Sequence, residues 1–185
     1  MIVDRFHILT GGPGSGKTTL LTVLEGPYFH IVPEVAREII REQMAAGGTA
    51  LPWKDQDLYT SLMLERSLES YQATLKQLQS NPNQHFFFDR GIPDTLCYAT
   101  LTGQGISEDM NKAASIHRYN PTVFMLPPWK EIYTTDTERK QSWEEAVVTY
   151  EQLKATYTNY QYKVVEVPTG PPQQRSNFII ASLGL

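Results

Sequence analysis

Nine consecutive residues near the start of the chain, Gly11, Gly12, Pro13, Gly14, Ser15, Gly16, Lys17, Thr18 and Thr19, combine four glycines with one lysine and two threonine hydroxyls. From Gly11 to Thr18 the spacing is G-x-x-x-x-G-K-T, the Walker A or P-loop pattern. Its chemistry is anion binding. Glycines at these places let the backbone take angles that side-chain-bearing residues avoid, so successive N–H groups turn inward on a chain of phosphates. A helix starting at the end of the loop adds its own free N–H groups. Lys17 then sets a compact positive charge against the outer phosphates, and the Thr18 hydroxyl is placed to ligate Mg²⁺. A plain glycine turn has no use for that lysine. The expectation is a nucleoside-triphosphate site built from Gly11 through Thr19.

Such a loop works only between a strand and a helix. Phe6, Ile8 and Leu9 supply a short apolar strand before it, and Leu20, Leu21, Val23 and Leu24 a helical stripe after it. The same alternation runs to the end of the chain. Strands are predicted at Phe6–Leu9, Phe29–Val32, Phe86–Phe88, Val123–Leu126 and Val164–Val167. Helices are predicted at Gly16–Leu24, Val35–Met44, Asp94–Leu101, Ser107–His117, Trp143–Tyr157 and Phe178–Leu183. A longer helix is capped by Asp55, shows Leu58, Leu62, Leu68, Tyr71, Leu75 and Leu78 on one face, and stops at Asn81-Pro82-Asn83. Strands alternating with helices through right-handed crossovers imply a parallel, five-stranded sheet covered on both faces. We therefore expect an α/β fold of three layers, α/β/α, with residues 1–185 forming a single domain.

Ligands in such sheets bind beyond the carboxyl ends of the strands. Three segments fall there: Glu34 after the second strand, Asp89 and Arg90 after the third, and Thr169–Gln174 leading to Arg175 after the fifth. Each also has a plainer reading. Glu34 suits the first turn of a helix, where a carboxylate meets the positive end of the dipole. Asp89 suits a strand-ending turn, with Arg90 as its surface salt-bridge partner. Thr169–Gln174 suits a proline-rich turn.

The order of P-loop, "VPEVARE", "DRG" and a late polar segment resembles the P-loop nucleoside and nucleotide kinases. It looks closer still to small bacterial predicted ATPases related to the nicotinamide riboside kinase domain of the bacterial NAD regulator. The resemblance spans Gly11 to about Arg175. It implies ATP and Mg²⁺ as cofactors, with Asp89 near the metal beside Thr18 and Arg90 toward the acceptor. It also implies that the carboxylate after the second strand, Glu34, acts as base toward a sugar hydroxyl, with Asp89 as base in the reverse assignment. The segment Thr134–Ala146, with Asp136, Glu138, Arg139 and Lys140, looks like a kinase lid at about residues 130–142, with Arg139 as its cation. A solvated charged turn reads the same residues without chemistry. The loop from Thr169 to Arg175 resembles the segment that lies against adenine.

Three functions fit. The first is a phosphotransferase moving the γ-phosphoryl of ATP to a hydroxyl of a small, nucleoside-like acceptor. The second is an ATPase or nucleotide-dependent switch acting on a protein partner. The third is a nucleoside monophosphate kinase, for which Arg37, Arg41 and Arg66 would supply basic residues. Asn111–Ala114 lacks the aspartate of a guanine-reading N-K-x-D segment. Arg90 stands where motor-type ATPases carry a second acid. His7, His30, His85 and His117 lack zinc-ligand spacing. A net charge of −4 without basic runs points away from nucleic acid. The lone Cys97 reads as a buried thiol, and the absence of a leader-like or membrane-length apolar run reads as cytoplasmic.

Overall fold

Phe86, Phe87 and Phe88 are all buried, which neighbouring strand residues achieve only when both faces of the sheet are covered. The computed structural model describes residues 2–133 and 142–185. Its strands are β1 (Phe6–Gly11), β2 (Phe29–Val32), β3 (His85–Asp89), β4 (Thr122–Leu126) and β5 (Lys163–Glu166). Its helices are α1 (Lys17–Leu24), α2 (Val35–Ala46), α3 (Gln56–Ser80), α4 (Ile92–Leu101), α5 (Glu108–Ile116), α6 (Trp143–Asn159) and α7 (Pro172–Ser182). The strands form one parallel sheet in the order β2-β3-β1-β4-β5. This is the α/β arrangement of three layers that the alternation implied.

Alternation along the strands divides the core in two. Phe6, Ile8, Phe86, Phe88, Val123 and Met125 face the layer containing α3, α4, α5 and α6. Leu9, Phe87, Phe124 and Leu126 face α1 and α7 through Leu20, Leu21, Leu24 and Ile179. Cys97 lies in the first cluster, and burial pushes its thiol up to about 12, so it stays protonated. No helix among the described residues is long and apolar enough to cross a membrane.

Two expectations need correction. The apolar face of α3 does not begin at Leu58, which is exposed; Tyr59 and Met63, four apart, turn inward with Ile39 of α2. Leu68, Tyr71, Leu75 and Leu78 then pack on the sheet as the periodicity predicts. The last helix starts at Pro172 rather than Phe178, because a proline costs nothing in the first helical turn, where its missing N–H has no partner to lose. Gln173, Gln174 and Arg175 are therefore helical.

The structure also joins two histidines that are far apart in sequence. His7 of β1 and His85 of β3 stack nearly parallel, with Nε2 of His7 at 2.8 Å from Nδ1 of His85. Burial, then the nearby His85 and Arg5, pull the His7 pKa down to about 3. The unfolded chain therefore binds the extra proton between pH 6.5 and about 3, and stability falls as pH drops through that window. The expected penalty is about 1.4 kcal/mol per pH unit. In urea melts at pH 7 and pH 5, His7→Phe should lose about 2 kcal/mol less than wild type on acidification. Equal losses would place the acid sensitivity elsewhere.

Candidate active site

The loop after β1 owes its shape to glycine at two places. Gly14 has φ 72° and lies under the Tyr133 ring, where an added Cβ would meet Cδ2 at 2.6 Å. Gly16 has φ 78° and forms the N-cap of α1 with no side chain capping the helix. Among the described residues nothing accepts a hydrogen bond from the amides of Gly16, Lys17 and Thr18. The N-terminus of α1 is thus open to an anion. The Ser15 hydroxyl turns away and donates to the Gly12 carbonyl at 2.9 Å.

Gly12 through Thr19 line a pocket of about 210 Å³, together with Arg37, Arg90 and Ile132. Gly11 does not line it. That residue closes β1 opposite Leu126, whose carbonyl would lie 2.7 Å from an added Cβ.

Lys17, Glu34, Asp89 and Arg90 come together at the edge of this pocket. The Lys17 ammonium, almost fully buried, is hydrogen-bonded to Asp89 and lies 3.9 Å from Glu34. Glu34 precedes the first turn of α2 and draws three cations: Arg90 at 2.8 Å, Arg37 at 3.3 Å and Lys17. Burial works against its charge, but Arg90, Lys17 and Arg37 outweigh burial and hold the carboxyl below its usual range. For Lys17, burial and the nearby Arg90 lower the proton affinity against the pull of Asp89 and Glu34.

Arg90 is not a surface partner of Asp89. Its backbone has φ 76°, unusual for a residue with a side chain, and the guanidinium points to Glu34 and to Asp94, the latter at 3.1 Å. Such a conformation costs about 1–3 kcal/mol and persists only where its surroundings hold it. Asp94 is the holder, and sequence reasoning missed it. Its carboxylate is buried in α4 and accepts from Thr10 Oγ1 at 2.6 Å, from Gly91 N at 2.9 Å, from Arg90, and from the Tyr157 hydroxyl. Burial and the neighbouring Asp94 raise the Tyr157 pKa, which keeps the phenol a donor. The available signal was Asp94 three residues beyond Gly91, at the third position of α4, where a carboxylate can reach back to the capping N–H.

A second, narrow cleft, with a cavity volume of about 20 Å³, also has Arg90 in its wall. Glu34, Asp89, Arg90, Met63, Ser67 and Ser70 are among its walls. Arg90 thus borders both pockets, with Glu34 and Asp89 beside it. Arg37 lines the loop-side pocket. Arg66 is committed to Glu42 at 3.0 Å and lines neither pocket, nor does the exposed Arg41. Asp136, Glu138, Arg139 and Lys140 lie outside the described residues.

No curated protein matches the chain. Among solved structures, a NadR protein in complex with NR is similar with a TM-score of 0.68 and 21% identity. The match covers 97% of this chain and 51% of that one, so the chain spans about half its length. A thymidylate kinase from Ehrlichia chaffeensis is similar with a TM-score of 0.62 and 16% identity, covering 98% and 99% of the two chains. These likenesses concern the fold. Residues 6–175 match the model of the AAA_28 family, described as an AAA domain, and the chain belongs to that family.

Proposed function

We propose that the protein transfers the γ-phosphoryl group of ATP to a hydroxyl of a small, uncharged, nucleoside-like acceptor. The observation that carries this reading is the junction at Arg90, where a phosphate-binding loop and a second pocket share one wall flanked by two carboxylates. ATP lies along the loop with its outer phosphates against Lys17, and the acceptor enters at the second cleft, whose walls must part to admit it because its volume is only about 20 Å³. Its hydroxyl oxygen bonds to the γ-phosphorus as the bond to the ADP oxygen breaks, and Glu34 orients that hydroxyl and takes its proton. Thr18 and Asp89 suit Mg²⁺, which needs only one or two protein oxygens beside the phosphates and waters. When bound, that ion neutralises charge on the phosphates.

Charge favours an uncharged acceptor over a monophosphate. Among the described residues lining the two pockets, Lys17, Arg37 and Arg90 are already matched by Glu34, Asp89 and Asp94, which leaves no unpaired cation in their walls for an acceptor phosphate. The alternative is an ATPase or switch acting on a protein partner, a reading favoured by the family description as an AAA domain. A thermal-shift panel separates them: nucleosides, their monophosphates and ribosides including NR, each with and without ATP–Mg²⁺. A kinase is stabilised further by one acceptor, by about 2.7 kcal/mol at a hundredfold excess over its Kd. Stabilisation by ATP alone, with no response to any acceptor, would favour the switch.

A further inference from the structure

Arg175 is almost completely buried, yet no carboxylate among the described residues pairs with it. It sits in the first turn of α7, and its Nη1 donates to the Ser15 carbonyl at 3.0 Å. Its Nε and Nη2 have no hydrogen-bond partner, and its guanidinium lies 5.6 Å from the centre of the Trp129 ring. A buried, unpaired cation is costly, so its place calls for a reason. The clearance around it is tight, since a Cβ on Gly16 would come within 2.9 Å of Nη1.

The Ser15 carbonyl and the Gly16 N–H belong to one planar trans peptide, so the two point in opposite directions. A donor that holds the carbonyl on the α7 side therefore turns the N–H to the other side of the loop. We propose that Arg175 is a positioning residue for the phosphate site, fixing the Ser15–Gly16 peptide so that its N–H faces the phosphates and its carbonyl does not. Ser15 Oγ does the same for the Gly12 carbonyl from within the loop. Either oxygen turned inward would repel a phosphate. Arg175 touches no phosphate itself; it acts through the peptide it holds, and its uncompensated charge lies beneath the anion cradle. This inference rests on the loop being a phosphate site.

The test uses inorganic tripolyphosphate with Mg²⁺, which has no base or sugar to bind elsewhere, titrated calorimetrically into wild type, Arg175→Met and Arg175→Lys. The Gly16 amide resonance is followed in ¹⁵N-glycine-labelled protein without ligand. Arg175→Met should weaken tripolyphosphate roughly 10- to 100-fold, the scale of a lost hydrogen bond involving a charged group, and should shift the Gly16 amide. Arg175→Lys keeps one donor for the Ser15 carbonyl, so its affinity and amide position should stay near wild type. Wild-type affinity in Arg175→Met overturns the inference and leaves the nucleotide reading standing. Weaker binding with an unmoved Gly16 amide also overturns it, because a general loss of stability would give that pattern. If Arg175→Met does not fold, Arg175→Lys decides: any change in affinity without a change in the amide, or the reverse, overturns the proposal. If wild type binds neither tripolyphosphate nor ATP, the nucleotide reading falls and takes this inference with it.

Discussion

Lys17→Ala should all but abolish ATP turnover while leaving the fold in place. The ammonium sits at the first residue of α1, where the open amides already favour an anion, and it is the nearest compact charge to the phosphate pocket. Phosphoryl transfer depends chiefly on positioning and charge neutralisation, so losing this group removes much of what the loop supplies. Lys17 is held by Asp89 and approached by Glu34. Incoming phosphates must draw it off those carboxylates. The variant leaves Asp89 without its partner but leaves Glu34 with Arg37 and Arg90, so a lowered Tm is expected rather than unfolding. Folded Lys17→Ala with wild-type ATP turnover would end the P-loop assignment.

Glu34→Gln should lower transfer to a verified acceptor by roughly 10²–10⁴-fold, the range of acid–base assistance, with little change in ATP affinity. At rest the carboxylate is a weak base, because Arg90, Lys17 and Arg37 hold its proton affinity down. Once Lys17 moves to the phosphates, one of those cations is gone and the proton affinity of Glu34 rises. On the proposed reading, base strength would be coupled to nucleotide binding: the acid limb of the rate profile should lie higher in pH with ATP bound than in the free protein. Normal transfer by Glu34→Gln would pass the role to Asp89. Loss of ATP binding would move Glu34 to the metal instead.

What was legible in the sequence is what is local. The glycine-rich loop is nine adjacent residues, and Phe86-Phe87-Phe88 announces a strand covered on both sides, so both are readable without any knowledge of distant partners. Glu34, Asp89 and Arg90 fall at strand ends as expected, because the apolar runs before them mark where β2 and β3 stop. Their pairing was not readable. Arg90 follows Asp89 directly, but its positive φ turns the side chain to Glu34, 56 positions earlier. Asp94 was missed because the donors that define it, Thr10 and Tyr157, lie 84 and 63 positions away. Pro171 and Pro172 resemble a turn until one sees that Pro172 opens α7. Leu58 belongs to the apolar period of α3 but lies where the helix has not yet reached the sheet.

The central place of β1 governs how the chain acquires its shape during synthesis. β1 pairs with β3 on one side and β4 on the other, so it gains both neighbours only after residue 126 has been made. Loop closure over such separations is slow, and parallel pairing gives no early hairpin to build on. The loop that follows β1 is made before the strands that flank β1 and is therefore fixed late. Until β4 docks, the apolar run of β1 stays exposed on a nascent chain, a natural client for chaperones.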